Sequence, residues 1–442
     1  MSKKAVLVLQ LGIGFGFFTS FESQAAGGDS IRGIAPMTAL VLDARSGNEK
    51  HLKEAFFEDG VDFFLDMEQP RQRIVQELLN IRETGRAIQA SDYSNAEQRI
   101  RSIQNFPDHK KYLRASLDAA QARYQQSLEG FRQLIDGRGN VDSRHLVSLS
   151  FMGAARVFHE VQDYKQAIYH YNQVRQLESE FFEAVFEKSW SFYLNGDMNG
   201  SLGATLTFLS PYFESAFYPE AMLVRAASFF QLCYFDRATQ TVQQTKKLYE
   251  PIQRQIRDLL NRDPRSWVFD QRILKGVHKS ILGFMVADSR FRSAMRAEIA
   301  LQKEVNKLSG RSEQTIASQA LSFVKNRLVE EAGRVLRSAD KQTADILAQM
   351  DMIAIEILQA SANQILGLPP EEQAKVKIID LGNVDFDRLV QFWPFKGEFW
   401  VDELGSYYYG LVSNCETPNG QSAVRSMLYA NAKRQKLSQK VW

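Results

Sequence analysis

The run FWPFKGEFWVDELGSYYYGLVSNC, Phe392 to Cys415, gathers eight aromatic residues around the acids Glu398, Asp402 and Glu403 and ends on one of only two cysteines in the chain. Paired carboxylates beside aromatic platforms are the equipment of a glycosidase, in which an apolar setting keeps one acid protonated. Peptidoglycan or another glycan would be the substrate or ligand of such a cluster. The spacing argues against cleavage, because Glu398 and Asp402 project from one short segment, whereas glycosidase carboxylates flank the scissile bond from separate elements. Elsewhere there is no HExxH, no GxSxG, no phosphate loop and no pair of CxxC motifs. The six histidines are scattered, and although His159-Glu160 begins like a zincin string, position 163 is Asp. The expectation is a chain without catalytic residues, metal or cofactor.

The compartment follows from the first residues. Lys3 and Lys4 precede an apolar, Gly-rich run from Ala5 to Phe21, and Ser23-Gln24-Ala25 places small residues where a signal peptidase needs them. This predicts a signal peptide over 1–25 cleaved after Ala25, and an exported, periplasmic protein. The alternative is an uncleaved anchor, which Gln10 and the glycines at 12, 14 and 16 disfavour. With 442 residues and 44% hydrophobic composition the chain can bury a sizeable core in two or three domains, and a formal net charge of +2 gives no electrostatic case for nucleic acid.

Three copies of one pattern occupy residues 145–251. In the first, Phe151, Ala154, Ala155 and Phe158 precede Asp163, Tyr164, Ala167 and Tyr171. The second has Val185, Ser189, Phe192, an Asn195-Gly196-Asp197 turn, Ser201 and Phe208, ending at Pro211; the third has Met222, Ala226, Phe229, Phe235, Ala238 and Val242, closing at Pro251. The order of large, small and aromatic residues resembles the tetratricopeptide repeat (TPR), in which small residues let two antiparallel helices approach; a generic helical bundle is the alternative. Residues 61–140 read as helical with degenerate repeats, broken around Ser91–Ser94, and residues 26–60 carry no sustained period.

From 269 to 366 the spacing becomes heptad-like, through Val277, Ile281, Phe284, Phe291 and Met295, then Leu321, Val324, Leu328 and Val335, then Ile346, Met350, Ile353 and Ile357. This predicts a long helical hairpin with its apex near Gly310. Pro369-Pro370 ends it, Lys375–Leu381 reads as a short strand or extended arm, and 371–442 forms the C-terminal segment. The fold class expected is all-α: a TPR solenoid, then a long helical hairpin, then an aromatic-rich segment.

TPR solenoids bind extended partner segments in a concave groove. Aligned on Ala167, Ser201 and Ala238, the groove positions are Met152, Arg156 and His159, then Phe186, Trp190 and Tyr193, then Leu223, Ala227 and Phe230. They describe an apolar trough with Arg156 placed to fork onto a partner carboxylate. The same residues could instead pack against neighbouring helices or the chain's own C-terminal segment.

The string WPFxGEFWxDELGxYxY, matched from Trp393 through Tyr409 with a Cys shortly after, resembles extracytoplasmic TPR proteins of gliding or predatory deltaproteobacteria, including envelope components of gliding-motility machinery. That resemblance implies a non-enzymatic scaffold in a cell-envelope machine, with periplasmic or membrane-embedded envelope proteins as partners, and assigns no catalytic residue. Physically the segment reads as a clasp: Trp393, Phe395, Phe399 and Trp400 supply apolar area, while Glu398, Asp402 and Glu403 pair with a basic helix face. Cys415 would then bond Cys233 after the third repeat's first helix; the alternative is two separate thiols with Cys233 buried as a small hydrophobe.

Overall fold

The computed structural model describes residues 37–38, 40–42, 73–137, 144–176, 178, 180–366 and 397–415. The leader, Lys375–Leu381, Trp393 and Phe395 lie outside them. The protein is all-α: the regular structure among the described residues is helical, with no strand. No helix among them is long and apolar enough to cross a membrane.

Ten helices form five successive hairpins: α1 (Arg73–Gln89) with α2 (Tyr93–Ser102), α3 (Pro107–Ala120) with α4 (Tyr124–Asp136), α5 (Arg144–Glu160) with α6 (Tyr164–Tyr171), α7 (Phe181–Leu194) with α8 (Met198–Leu206), and α9 (Pro219–Gln231) with α10 (Phe235–Leu260). Every turn is built the same way. A left-handed residue, Ser91, Ala122, Gln162, Gly196 or Cys233, follows the first helix with φ between 57° and 86°. The next amide closes a six-residue ring onto that helix, as in Asp163 N–H to Phe158 O at 2.9 Å and Tyr234 N–H to Phe229 O at 3.0 Å. Four of the five positions lack glycine, so each costs about 1–2 kcal/mol in backbone strain that the capping bonds must offset. In three turns the next residue is an aspartate that caps the second helix: Asp92 accepts from Asn95, Asp163 from Gln166 and Asp197 from Gly200.

Counting from the left-handed residue exposes two columns of small side chains. Seven positions before it stand Thr84, Ala115, Ala155, Ser189 and Ala226; five positions after it stand Ala96, Ser127, Ala167, Ser201 and Ala238, and none of the ten exceeds 1% exposure. Here the two backbones of a hairpin meet, as Ser127 shows by donating its hydroxyl to Ala115 O at 2.8 Å. The expected three-copy pattern therefore has two further hairpins before it, in the stretch read as degenerate.

The chain divides into two compact units. Of the described residues, the first comprises those up to 184, 259–277 and 282–338; the second comprises 185–258, 278–281 and those from 339 to 415. In the first unit, apolar layers join successive hairpins: Tyr112, Ala115, Phe131, Leu134, Leu146, Leu149 and Val157 form one, and Met152, Ala155, Ala167, Tyr171, Val174 and Ala184 the next. The same unit contains α11 (Gln271–Lys275), the part of α12 (Lys279–Ala287) from Leu282 onward, α13 (Ser289–Lys307) and the start of α14 (Glu313–Leu366). Ala297 and Leu301 of α13 pack on Ala320, Leu321 and Val324 of α14, across a turn in which Gly310 has φ +79°. Glu304, itself buried, receives the Met37 and Thr38 amides at 2.9 Å each and the Thr38 hydroxyl at 2.8 Å. That seats the helical residues 37–38 and 40–42 beside the α13–α14 seam, with Val41 fully buried.

Two expectations need correction. The α9–α10 hairpin does not close at Pro251; α10 runs through it to Leu260. Tyr249, Ile252, Ile256 and Leu259 are buried on both sides of the proline, and several apolar side chains at about 1.5–3 kcal/mol each outweigh the roughly 3 kcal/mol cost of an interior proline. Before Gly310, the run of helix is not continuous but breaks at Gly276 and at Asp288, whose carboxylate caps α13 by accepting from Phe291 N–H at 3.0 Å. The breaks rotate the seam, so Met285, Ala294 and Ala297 are buried while Phe284 and Met295 are only partly so.

His109 of α3 is 4% exposed and meets Phe106 edge-to-face at 6.0 Å. Burial, with a smaller contribution from the charge of His145, pushes its pKa down to about 3. Folded His109 thus stays neutral while the unfolded chain takes up a proton below about pH 6.5. The stability this neutrality provides is present above that pH and is lost as pH falls toward 3. We expect urea titrations to show His109→Gln removing about 2 kcal/mol of acid lability between pH 6.5 and pH 5. Ala167→Leu, forced between two backbones, should lower stability by about 1–3 kcal/mol or more in the same assay.

Candidate interaction surface

In the second unit, Leu404 to Cys415 is a strap laid on α7, α8 and α9, turned at Leu404–Ser406 and irregular, without helix, from Tyr407 onward. Its first anchor is Gly405, with φ +92°. The Gly405 amide donates to Thr207 Oγ1 at 2.7 Å, and its carbonyl accepts from Lys188 Nζ at 2.7 Å. Lys188 is 5% exposed, and burial pushes its pKa down to about 8. The close approach depends on a second glycine: a Cβ at Gly203 of α8 would lie 1.8 Å from the Tyr407 carbonyl oxygen.

The strap is then read by its backbone. Tyr409 N–H donates to Asn199 O at 3.1 Å, and the Asn199 side chain bridges Leu411, accepting from its N–H at 3.0 Å and donating to its carbonyl at 2.9 Å. One residue thereby satisfies three backbone groups of a non-helical chain. Arg225 of α9 donates to the Tyr409 hydroxyl at 2.7 Å and to Leu202 O at 3.2 Å, with its guanidinium over the rings of Phe229 and Tyr409 at 5.0 and 5.3 Å. Tyr408 donates to Asp197 at 2.9 Å, Tyr234 to Val412 O at 2.9 Å, and Asn414 N–H to Leu232 O at 2.9 Å.

The strap ends in a disulfide between Cys415 and Cys233, with Cα atoms 5.1 Å apart. Cys233 is the left-handed residue of the α9–α10 turn, so a position that favours glycine here carries the cross-link. Closing a loop of 182 residues contributes about 5 kcal/mol in the chain-entropy model.

The clasp differs from the one expected. Phe399 is half-buried, Trp400 is 43% exposed, and Glu398, Asp402 and Glu403 lie on the surface. Asp402 and Glu403 have no ion-pair partner among the described residues. Gly405, Tyr408 and Tyr409 hold the segment instead, because their backbone or hydroxyl groups find partners on α7, α8, α9 and the turns beside them, while Leu404 is buried and the Tyr407 hydroxyl bonds back to Trp400. Among the described residues no three His, Cys, Asp or Glu side chains converge as a metal site would need.

The expected groove is corrected as well. Met152, His159, Tyr193, Ala227 and Phe230 are at most 8% exposed. Tyr193 and Ala227 join Met198 and Val224 in a core cluster that Phe186 and Trp190 flank, with Trp190 stacked on Tyr193 at 5.3 Å. Leu223 is half-buried, and Arg156 is engaged in cis by Glu183 at 2.7 Å. These positions face neighbouring helices, so most of the trough is core. Lys188, Asn199, Gly203 and Arg225 escaped the sequence reading. The one local hint was Gly203, a helix-interior glycine with no turn to serve.

No protein-family model and no curated protein matches the chain.

Gly203→Ala should release the strap even with the disulfide intact. Hydrogen exchange is expected to show loss of protection from Gly405 to Asn414, with α1–α6 unchanged. Unchanged protection of the strap would show that α8 shifts to accommodate the methyl group.

Proposed function

We propose that this chain is a non-enzymatic TPR scaffold of a cell-envelope machine, binding other envelope proteins rather than transforming a substrate. The observation that carries this reading is the five-fold recurrence of one helical hairpin with two columns of small residues, an arrangement whose use is to present surface for docking. The Cys233–Cys415 bond supports an oxidising, extracytoplasmic location, in line with the leader expected at 1–25. On α14, within the second unit, Met352, Ile355 and Leu358 stand 58%, 55% and 69% exposed at intervals of three, an apolar stripe of the kind soluble proteins keep for partners. A place in gliding motility is the narrower form of the proposal and rests on the WPFxGEFWxDELG resemblance alone.

A glycan-binding reading draws on Trp400 and Tyr408, 43% and 46% exposed near the surface acids. In-cell photo-crosslinking from position 355 tests the two. Scaffold function predicts links to a discrete envelope protein that fall at least ten-fold with Leu358→Glu, with the helical circular dichroism unchanged. Self-links alone, together with sedimentation on purified sacculi that Trp400→Ala abolishes, would replace this reading with the glycan one.

A further inference from the structure

The strap site has an open counterpart in the first unit. A cleft of about 620 Å³ lies among α4, α5 and α6, and its lining includes Gln125, Leu128, Glu129, Ala154, Phe158 and Tyr169. Counted from the left-handed turn residues, Gln125 and Glu129 of α4 hold the places of Asn199 and Gly203 of α8, and Ala154 and Phe158 of α5 hold those of Arg225 and Phe229 of α9. In the second unit these four positions grip a non-helical segment of the chain; in the first they border a cleft.

The substitutions between the two sites define what the cleft accepts. Gln125 retains the amide with which Asn199 bridges a backbone N–H and carbonyl. Phe158 retains the ring over which Arg225 stacks in the strap site, and Tyr169 and His170 extend that aromatic wall, His170 lying 4.9 Å from Phe158. Ala154 removes the guanidinium and leaves its space empty. Glu129 replaces glycine and, with Asp136 on the same wall, adds carboxylates against the single Arg132, which already pairs with Glu129 at 2.8 Å. A cation supplied from outside would fill the vacated space, stack on Phe158 and meet these acids.

We infer that the α4–α5–α6 cleft binds an extended peptide segment of a partner protein that carries an arginine next to an aromatic residue. The inference rests on the scaffold reading and gives it a site and a ligand chemistry. The arginine takes the place of Arg225, the aromatic residue that of Tyr409, and Gln125 reads the peptide backbone as Asn199 reads the strap.

The test is selection of random dodecapeptides displayed on phage against the oxidised full chain, in which the strap already fills its own site. Enriched peptides should contain arginine adjacent to an aromatic residue. Fluorescence anisotropy should show at least a ten-fold loss of affinity for Gln125→Ala and for Glu129→Lys, both exposed positions. A peptide with its arginine changed to glutamate should regain affinity for Glu129→Lys. Peptides that bind both variants as well as the parent chain would overturn the cleft and leave the scaffold reading standing. Enrichment of none would overturn the cleft as a peptide site, and the crosslinks from position 355 would then decide the scaffold reading by themselves.

Discussion

The close approach of two helix backbones inside each hairpin is the constraint on which the rest of the structure depends. At the crossing, a side chain larger than serine, alanine or threonine would push the helices apart, so ten positions in five hairpins are small and almost wholly shielded from water. The left-handed turn residue sets the register of that crossing, because it fixes where the second helix begins. Four hairpins accept a strained non-glycine residue there, which shows how strongly packing on both sides determines the turn.

From that geometry follows a surface with a repeating grain. The second helix of one hairpin and the first helix of the next border a cleft whose lining positions recur at fixed distances from the turns. In the second unit the chain fills such a cleft with its own residues 404–415, using an asparagine to read backbone, a glycine to admit it and an arginine to stack on it. Backbone outside a helix carries polar groups that must be paired when buried, and the strap pairs them through Asn199, Thr207, Lys188 and the Leu232 carbonyl. The disulfide adds a covalent stop at the turn where the cleft ends.

Burial also redistributes the titratable groups. His109 and Lys188 are both displaced toward their neutral forms, to about 3 for the histidine and to about 8 for the lysine, primarily because they have left water. For Lys188 the bond to the Gly405 carbonyl keeps a buried ammonium serviceable as an anchor. Acid therefore weakens the first unit through His109.

Much of the helical plan was legible in the sequence, since hairpin geometry is local: small residues at the crossing, an Asp after the turn and aromatic residues around them leave a readable signature, strongest at Phe151–Tyr171 and faintest where Ala122 or Cys233 takes a place that glycine prefers. The pairing of Cys233 with Cys415 was reachable because a chain with two cysteines allows one intramolecular bond. Which apolar residues are covered and which stay exposed was not legible. Met152, Tyr193 and Phe230 have the composition of a binding surface and the burial of a core, and sequence spacing cannot tell these apart because both demand apolar residues at helical intervals. The strap's true anchors were equally hidden: Lys188, Asn199, Gly203 and Arg225 lie about 180 to 220 residues from the groups they hold. The sequence by itself determined the helices, their turns and the small residues at their crossings, through interactions between near neighbours. Only the tertiary structure decided which faces are covered and where the C-terminal segment lies, since those depend on backbone hydrogen bonds and close contacts between distant segments that leave no periodic trace.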